Sequence, residues 1–131
     1  LTMQILTYQD CLNEKGVISF EEARMIYDSL INSSNIHDPE FQVYWKELVE
    51  YSAQYAEMRG KWLTLTIEEQ NSLDPSRSII HDRIIHNLQA IRGLAQIEGK
   101  NVSWFDKFYD DRKRIGDFAN YINYIYAVNS R

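Results

Sequence analysis

A stripe of large apolar and aromatic side chains along residues 41–62 constrains the fold of this chain more than any other feature. Its members are separated throughout by three or four residues: Phe41, Tyr44, Leu48, Tyr51, Tyr55, Met58 and Trp62. Because an α-helix has about 3.6 residues per turn, this spacing places all of them on one helix face. A long helix with such a face needs other helices to cover it, so the pattern predicts a helical bundle.

Capping signals divide much of the remaining chain into helices. Asp38-Pro39 and Asp74-Pro75 each combine an N-cap residue with a proline at the first helical position. Thr66 precedes a glutamate by three residues, which is the capping-box pattern, and we expect a short connecting turn to begin there. We predict an all-α bundle of about five helices, three of them long. The long helices are predicted at residues 39–64, 75–98 and 104–128.

Length and composition are those of one ordinary globular domain. The chain has 131 residues, of which 44% are hydrophobic and 25% charged. A single cysteine, Cys11, excludes an internal disulfide framework and any multi-cysteine metal site. The sequence lacks an apolar run long enough for a transmembrane helix and lacks a secretory pattern. We therefore expect a single helical domain over residues 1–131, cytoplasmic and without a cofactor.

The net charge of −5 is unevenly distributed along the chain. Residues 1–66 contain ten acidic and five basic side chains, whereas residues 67–131 contain nine of each. The one basic cluster, residues 112–114, directly follows two aspartates, and such mixed runs are typical of a solvated helix face. The charge pattern disfavours nucleic acid as a partner.

The segment 77–87 contains the polar residues that are best suited to catalysis or ligand binding. Arg77 and His81 are four residues apart, as are Asp82 and His86, so each pair shares a helix face. An Arg–His pair can bind a phosphate and move a proton, and an Asp–His pair can orient an imidazole as a general base. These four residues are our catalytic candidates. The ordinary alternative, which we favour, is that they form the polar side of an amphipathic helix.

Two enzymatic patterns come close to this segment. Helical ribonuclease-like domains use arginine and histidine separated by four to six residues, but Arg77 and His81 are separated by three. A His-Asp metal phosphohydrolase is the second pattern. Its ligands would be His37, His81 and Asp82, with Asp111 or Asp117 completing the set. Asp38, however, is already explained as an N-cap, and we predict no metal site.

Short motifs in the C-terminal half carry a resemblance to known families. At Arg77 and His81 followed by Ile85, and at Asp111-Arg112-x2-Ile115-x-Asp117-Phe118, the chain resembles small helical bacterial proteins. These are domain-of-unknown-function families of Gram-positive bacteria and mobile elements. The resemblance covers residues 74–125 and implies a helical fold, but no activity.

The same pattern predicts a polar cluster between the last two long helices. Its members would be Arg77, His81, Asp111, Arg112 and Asp117. Such a cluster either fixes the register of the two helices or lines a small-ligand or phosphate site, and we favour register.

Our main functional hypothesis is a non-enzymatic helical interaction or regulatory module that binds a protein partner or self-associates. An acidic, aromatic-rich bundle without a recognisable catalytic motif motivates it. The alternative is a phosphate-directed hydrolase or a small-ligand-binding domain that uses Arg77, His81 and Asp82.

Overall fold

The computed structural model describes residues 7–12 and 16–129, and their regular secondary structure is entirely helical. Four α-helices follow one another along the chain: α1 (Phe20–Asn32), α2 (Pro39–Trp62), α3 (Ile67–Ile97) and α4 (Arg112–Asn129). Two 3-10 helices, Gln9–Cys11 and Ser103–Phe108, precede α1 and α4. The all-α bundle predicted from the sequence is confirmed.

Helix α2 is central to the bundle and packs against both α3 and α4. Its apolar stripe faces these neighbours as predicted: Phe41, Leu48 and Tyr55 are buried, and the other members are partly buried. Leu88 of α3 and Phe118 of α4 have no exposed surface. Each fully buried side chain of this size contributes about 1.5–3 kcal/mol, so these contacts supply the main stabilisation of the bundle.

Helix α3 begins eight residues before the predicted start at residue 75, so the prediction of a separate helix there is wrong. The Thr66 hydroxyl accepts a hydrogen bond from the Glu69 backbone, and the Glu69 carboxylate accepts one from the Thr66 backbone. This capping box starts the long helix itself, rather than a short turn. Pro75 lies inside α3 at an exposed position, where water can satisfy the backbone carbonyl that proline leaves unpaired.

The predicted helix 104–128 is interrupted in the structure. A 3-10 helix over Ser103–Phe108 is followed by Tyr109 and Asp110, whose φ angles of 52° and 54° lie in the left-handed region. That conformation ends a right-handed helix, and α4 therefore begins only at Arg112. The Asp111 carboxylate accepts a hydrogen bond from the backbone of Lys113 at 2.8 Å, which is typical of an N-cap.

A buried ion pair connects the N-terminal segment, α2 and α4. Arg59 Nη1 lies 2.8 Å from Asp117 Oδ1, and the two side chains are 3% and 0% exposed. The second carboxylate oxygen accepts hydrogen bonds from the backbone N–H groups of Val17 and Ile18. The Tyr8 hydroxyl donates to the Asp117 carbonyl at 3.1 Å. Asp117 thus holds the described N-terminal residues against the bundle.

We expect Asp117→Asn to lower the free energy of unfolding by about 3 kcal/mol or more, because buried Arg59 then loses this counter-charge. Urea denaturation measures the change. Asp28→Asn is the matched control, since it removes the same charge from the exposed Arg24–Asp28 pair. The control should change stability by less than about 0.5 kcal/mol. Equal losses in the two variants would contradict a special role for the buried pair.

Close packing of α4 on α2 also depends on Gly116. A Cβ atom at this position would lie 2.6 Å from the Tyr55 hydroxyl and 3.0 Å from two ring carbons, and Tyr55 is buried. We expect Gly116→Ala to destabilise the protein by about 1–3 kcal/mol through overpacking. Gly93→Ala, in α3, meets no atom within 4 Å and should instead stabilise it by about 0.5–1 kcal/mol. Thermal unfolding of both variants checks the opposite signs.

Candidate functional site

A cavity of about 300 Å³ lies where α2, α3 and the first turn of α4 meet. Eight residues line it: Tyr55, Arg59, Asp74, Arg77, Ser78, His81, Arg112 and Lys113. Four of these side chains are cationic and one is acidic. A second cavity of about 330 Å³ has one charged lining side chain, that of Lys100. Concentrated positive charge therefore distinguishes the first cavity, in a protein whose net charge is negative.

Three of the four cations that line the cavity are held in different ways. Arg59 is paired with Asp117 behind the cavity wall. The central carbon of the Arg77 guanidinium lies 4.4 Å from the centre of the Trp62 ring, so a ring face rather than a carboxylate holds this cation. Arg112 lies 3.6 Å from Asp82 in a pair whose side chains are both well exposed, so solvent screens that attraction. The cavity thus retains donors for an anion.

His81 has a defined tautomer because of its position against α4. Its Nε2 lies 3.0 Å from the backbone carbonyl of Arg112, and since a carbonyl only accepts hydrogen bonds, Nε2 carries the proton. Nδ1 is then an acceptor when the ring is neutral. It is buried, and it has no hydrogen-bond partner among residues 7–12 and 16–129.

The surroundings of His81 favour the neutral imidazole. Burial lowers the pKa of His81 below its ordinary value, and the positive charges of Arg112 and Arg77 lower it further. The hydrogen bond to the Arg112 carbonyl and the Asp82 carboxylate act in the opposite direction without overcoming burial. At neutral pH the imidazole that lines this cavity is therefore neutral and lies beside several cationic side chains.

Three of the sequence-predicted site residues come together at this cavity. Arg77 and His81 from α3 and Arg112 from α4 all line it. Asp117 does not line the cavity, but it forms an ion pair with Arg59, which does. The predicted meeting of α3 and α4 polar residues is thus present for this subset.

The remaining candidates lie outside the cavity lining. Asp82 points to solvent with 71% of its side chain exposed, and its partner is Arg112. His86 is exposed on α3 and does not line the cavity. Asp111 serves as the cap at the start of α4. The Asp82–His86 pair therefore does not contribute to the same site as Arg77 and His81.

Sequence reasoning overlooked five residues that line the cavity: Tyr55, Arg59, Asp74, Ser78 and Lys113. A signal was available for Arg59. It follows Leu48, Ser52 and Tyr55 at spacings of three and four, so it occupies the buried face of α2. A charged residue in such a position requires a buried partner, and the helical spacing alone is enough to single out Arg59 on this ground.

Asp38, the neighbour of the candidate metal ligand His37, has a structural role at the start of α2. Asp38 caps α2 by accepting a hydrogen bond from the Glu40 backbone at 3.0 Å, as the sequence predicted. Across residues 7–12 and 16–129, no group of three or more His, Cys, Asp or Glu side chains is placed to hold a metal ion.

Comparisons with protein-family models, curated proteins and solved structures found no match for this chain. The resemblance to domain-of-unknown-function families of Gram-positive bacteria therefore stays a prediction. In the part of the chain that the structure describes, no helix is both long and apolar enough to span a membrane.

The lowered pKa of His81 predicts a pH-dependent stability. The unfolded chain takes up the His81 proton near pH 6.5, before the folded protein does, so the stability contributed by neutral His81 is present above that pH. It is lost as the pH falls through the folded-state pKa. We expect wild type to lose more stability than His81→Gln between about pH 8 and about pH 5. Denaturation at several pH values measures this difference.

His86→Gln is the control for this experiment, because His86 is exposed on the same helix. Its stability should follow that of wild type across the pH range. A wild-type protein that gains stability relative to His81→Gln as the pH falls would contradict burial of a neutral imidazole.

Proposed function

We propose that this protein binds a small anionic ligand, with a phosphate group as the anion, in the cavity between α2, α3 and α4. The observation that carries the proposal is the convergence of Arg77, Arg112 and Lys113 on one cavity of about 300 Å³. The whole chain has a net charge of −5, so a general need for solubility does not explain why positive side chains concentrate at this cavity.

The geometry favours an oxyanion over a generic acidic partner. Guanidinium groups present N–H donors in a planar fork that matches phosphate and carboxylate oxygens. Stacking on Trp62 restrains the Arg77 guanidinium before any ligand binds, which reduces the entropy lost on binding. The first residue of α4 is Arg112, so the positive end of the α4 dipole lies at the same cavity.

The volume of the cavity supports a small molecule as ligand. Small-molecule sites typically have volumes of roughly 300–1,000 Å³, and this cavity lies at the lower end of that range. A large nucleic-acid surface would require a broad basic face, whereas the predominantly acidic first half of the chain disfavours one.

The structure supports ligand binding more than hydrolysis. The hydrolase hypothesis assigns a role to Asp82. That side chain is exposed, pairs with Arg112 and does not itself line the cavity. An interaction with a protein partner or self-association, our main hypothesis from the sequence, stays a prediction, as does a cytoplasmic location. Exposed apolar side chains such as Met25, Val43 and Ile97 lie on three different helices.

Isothermal titration calorimetry with inorganic phosphate tests the proposed function. We expect measurable binding to wild type and a loss of about tenfold or more in Arg77→Gln, because charge-assisted hydrogen bonds contribute about 1.5–3 kcal/mol. Arg83→Gln is the matched control, since Arg83 is an exposed arginine of the same helix outside the cavity lining.

The control should change the affinity by less than about twofold, because solvent and salt screen a distant exposed charge. Equal losses in Arg77→Gln and Arg83→Gln would mean that only the overall charge matters. Absence of phosphate binding to wild type would overturn the proposed function.

A further inference from the structure

Asp74, the acidic side chain of the cavity lining, is not used as a helix cap. The sequence predicts it as an N-cap before Pro75, but α3 begins at Ile67 with Thr66 as its cap, so Asp74 lies inside the helix. Its residue is exposed, and its carboxylate has neither a hydrogen bond nor an ion pair among residues 7–12 and 16–129. Asp74 is therefore available to a ligand in the cavity that it lines.

The spacing of the lining residues places Asp74 on the cavity face of α3. Asp74, Arg77, Ser78 and His81 follow the i, i+3, i+4, i+7 pattern of one helix face, and all four line the cavity. Asp74 and Arg77 lie about one turn apart, which corresponds to roughly 5 Å along the helix axis. A ligand that pairs with both must therefore carry a cationic and an anionic group close together.

The charges of the lining indicate the charges of the ligand. Two of the four cations, Arg59 and Arg112, have aspartate partners that do not line the cavity. The other two, Arg77 and Lys113, have no carboxylate partner in the described part of the chain. Two positive charges and the negative charge of Asp74 thus remain without a counter-charge. A dianionic phosphomonoester with one cationic group has the complementary pattern.

We propose that the ligand is a small phosphomonoester that also carries an ammonium group, of the amino-alcohol phosphate class, and that this ammonium group pairs with Asp74. The inference rests on the proposed phosphate-binding function and adds the second half of the ligand. Arg77 and Lys113 bind the phosphate, and Asp74 is a specificity-determining residue.

A cationic group complements Asp74 better than a neutral hydroxyl group does. A carboxylate one turn from Arg77 repels every phosphate that binds there, and a hydroxyl group on the ligand does not offset this repulsion. An ammonium group on the ligand replaces part of the repulsion with attraction. Because Asp74 is exposed, solvent and salt screen the interaction, so its effect on affinity is moderate and depends on ionic strength.

Phosphoethanolamine and ethyl phosphate isolate the ammonium group, since both are phosphomonoesters with a two-carbon chain. At about pH 8 both phosphates are dianionic and the amine is protonated. We expect calorimetry in low salt to show phosphoethanolamine binding to wild type about three- to fivefold more tightly than ethyl phosphate. The preference should shrink in about 1 M salt, and 2-hydroxyethyl phosphate should bind like ethyl phosphate.

Asp74→Asn should reduce the preference for phosphoethanolamine to below about 1.5-fold, because the ammonium group loses its partner. Ethyl phosphate should bind this variant at least as tightly as wild type, since a repulsive charge is removed, and that binding also shows that the variant is folded. Glu68→Gln is the matched control. Glu68 is an exposed acid of the same helix outside the cavity lining, so this variant should retain the full preference.

The outcomes separate this inference from the proposed function. Equal affinity of wild type for phosphoethanolamine and ethyl phosphate, or a full preference in Asp74→Asn, overturns the ammonium contact while phosphate binding stands. Equal affinity for phosphoethanolamine and 2-hydroxyethyl phosphate overturns it too, because the charge is then not recognised. Failure of all three probes and of inorganic phosphate to bind overturns the proposed function itself.

Phosphate and ammonium groups also occur together in lipid headgroups, and a parallel experiment distinguishes that source. Vesicles that contain phosphatidylethanolamine present the two groups at a membrane surface, but as a phosphodiester with one negative charge fewer. We expect the protein to remain in the supernatant when these vesicles are sedimented, since the proposed ligand is a soluble monoester. Retention on the vesicles without binding of free phosphoethanolamine would overturn that assignment.

Discussion

The ion pair between Arg59 and Asp117 is the interaction on which both the fold and the candidate site depend. Two oppositely charged groups are withdrawn almost completely from water, and their desolvation is costly unless hydrogen bonds satisfy the remaining atoms. Asp117 obtains that satisfaction from the backbone of Val17 and Ile18. The same carboxylate therefore neutralises Arg59 of α2 and attaches the N-terminal segment to the bundle.

Arg59 also lines the cavity, so one side chain connects the interior of the bundle to the proposed ligand. Because Asp117 balances the charge of Arg59, the net attraction for an anion comes mainly from Arg77, Arg112 and Lys113. Arg59 instead forms part of the cavity wall, and its ion pair with Asp117 holds it in position. This division explains how a stable core and an electropositive cavity coexist next to each other in an acidic protein.

Periodicity and caps predicted most of the fold because they are local properties. The stripe of α2 and the caps at Asp38 and Thr66 depend on spacings of three or four residues, which the sequence displays directly. Pro75 misled the prediction because a long capped helix with strong packing tolerates a proline at an exposed position. The break at Tyr109 depends on tertiary packing of the preceding 3-10 helix, which buries Trp104 and Phe108.

The candidate site was predictable to the extent that it lies on one helix. Arg77 and His81 share a face of α3 at a spacing of four, and that relation survives in the cavity. Arg59 and Lys113 come from other helices, and their convergence depends on how α2 and α4 pack, which no local spacing encodes. Asp117 illustrates the same limit, since its partners at positions 17, 18 and 59 lie far away in sequence.

The tautomer of His81 also depends on how α3 and α4 pack. The carbonyl of Arg112, the first residue of α4 after the left-handed turn at Tyr109 and Asp110, lies 3.0 Å from Nε2. The start of α4 therefore fixes the proton of a neutral histidine on Nε2, next to a cavity that four cationic side chains line.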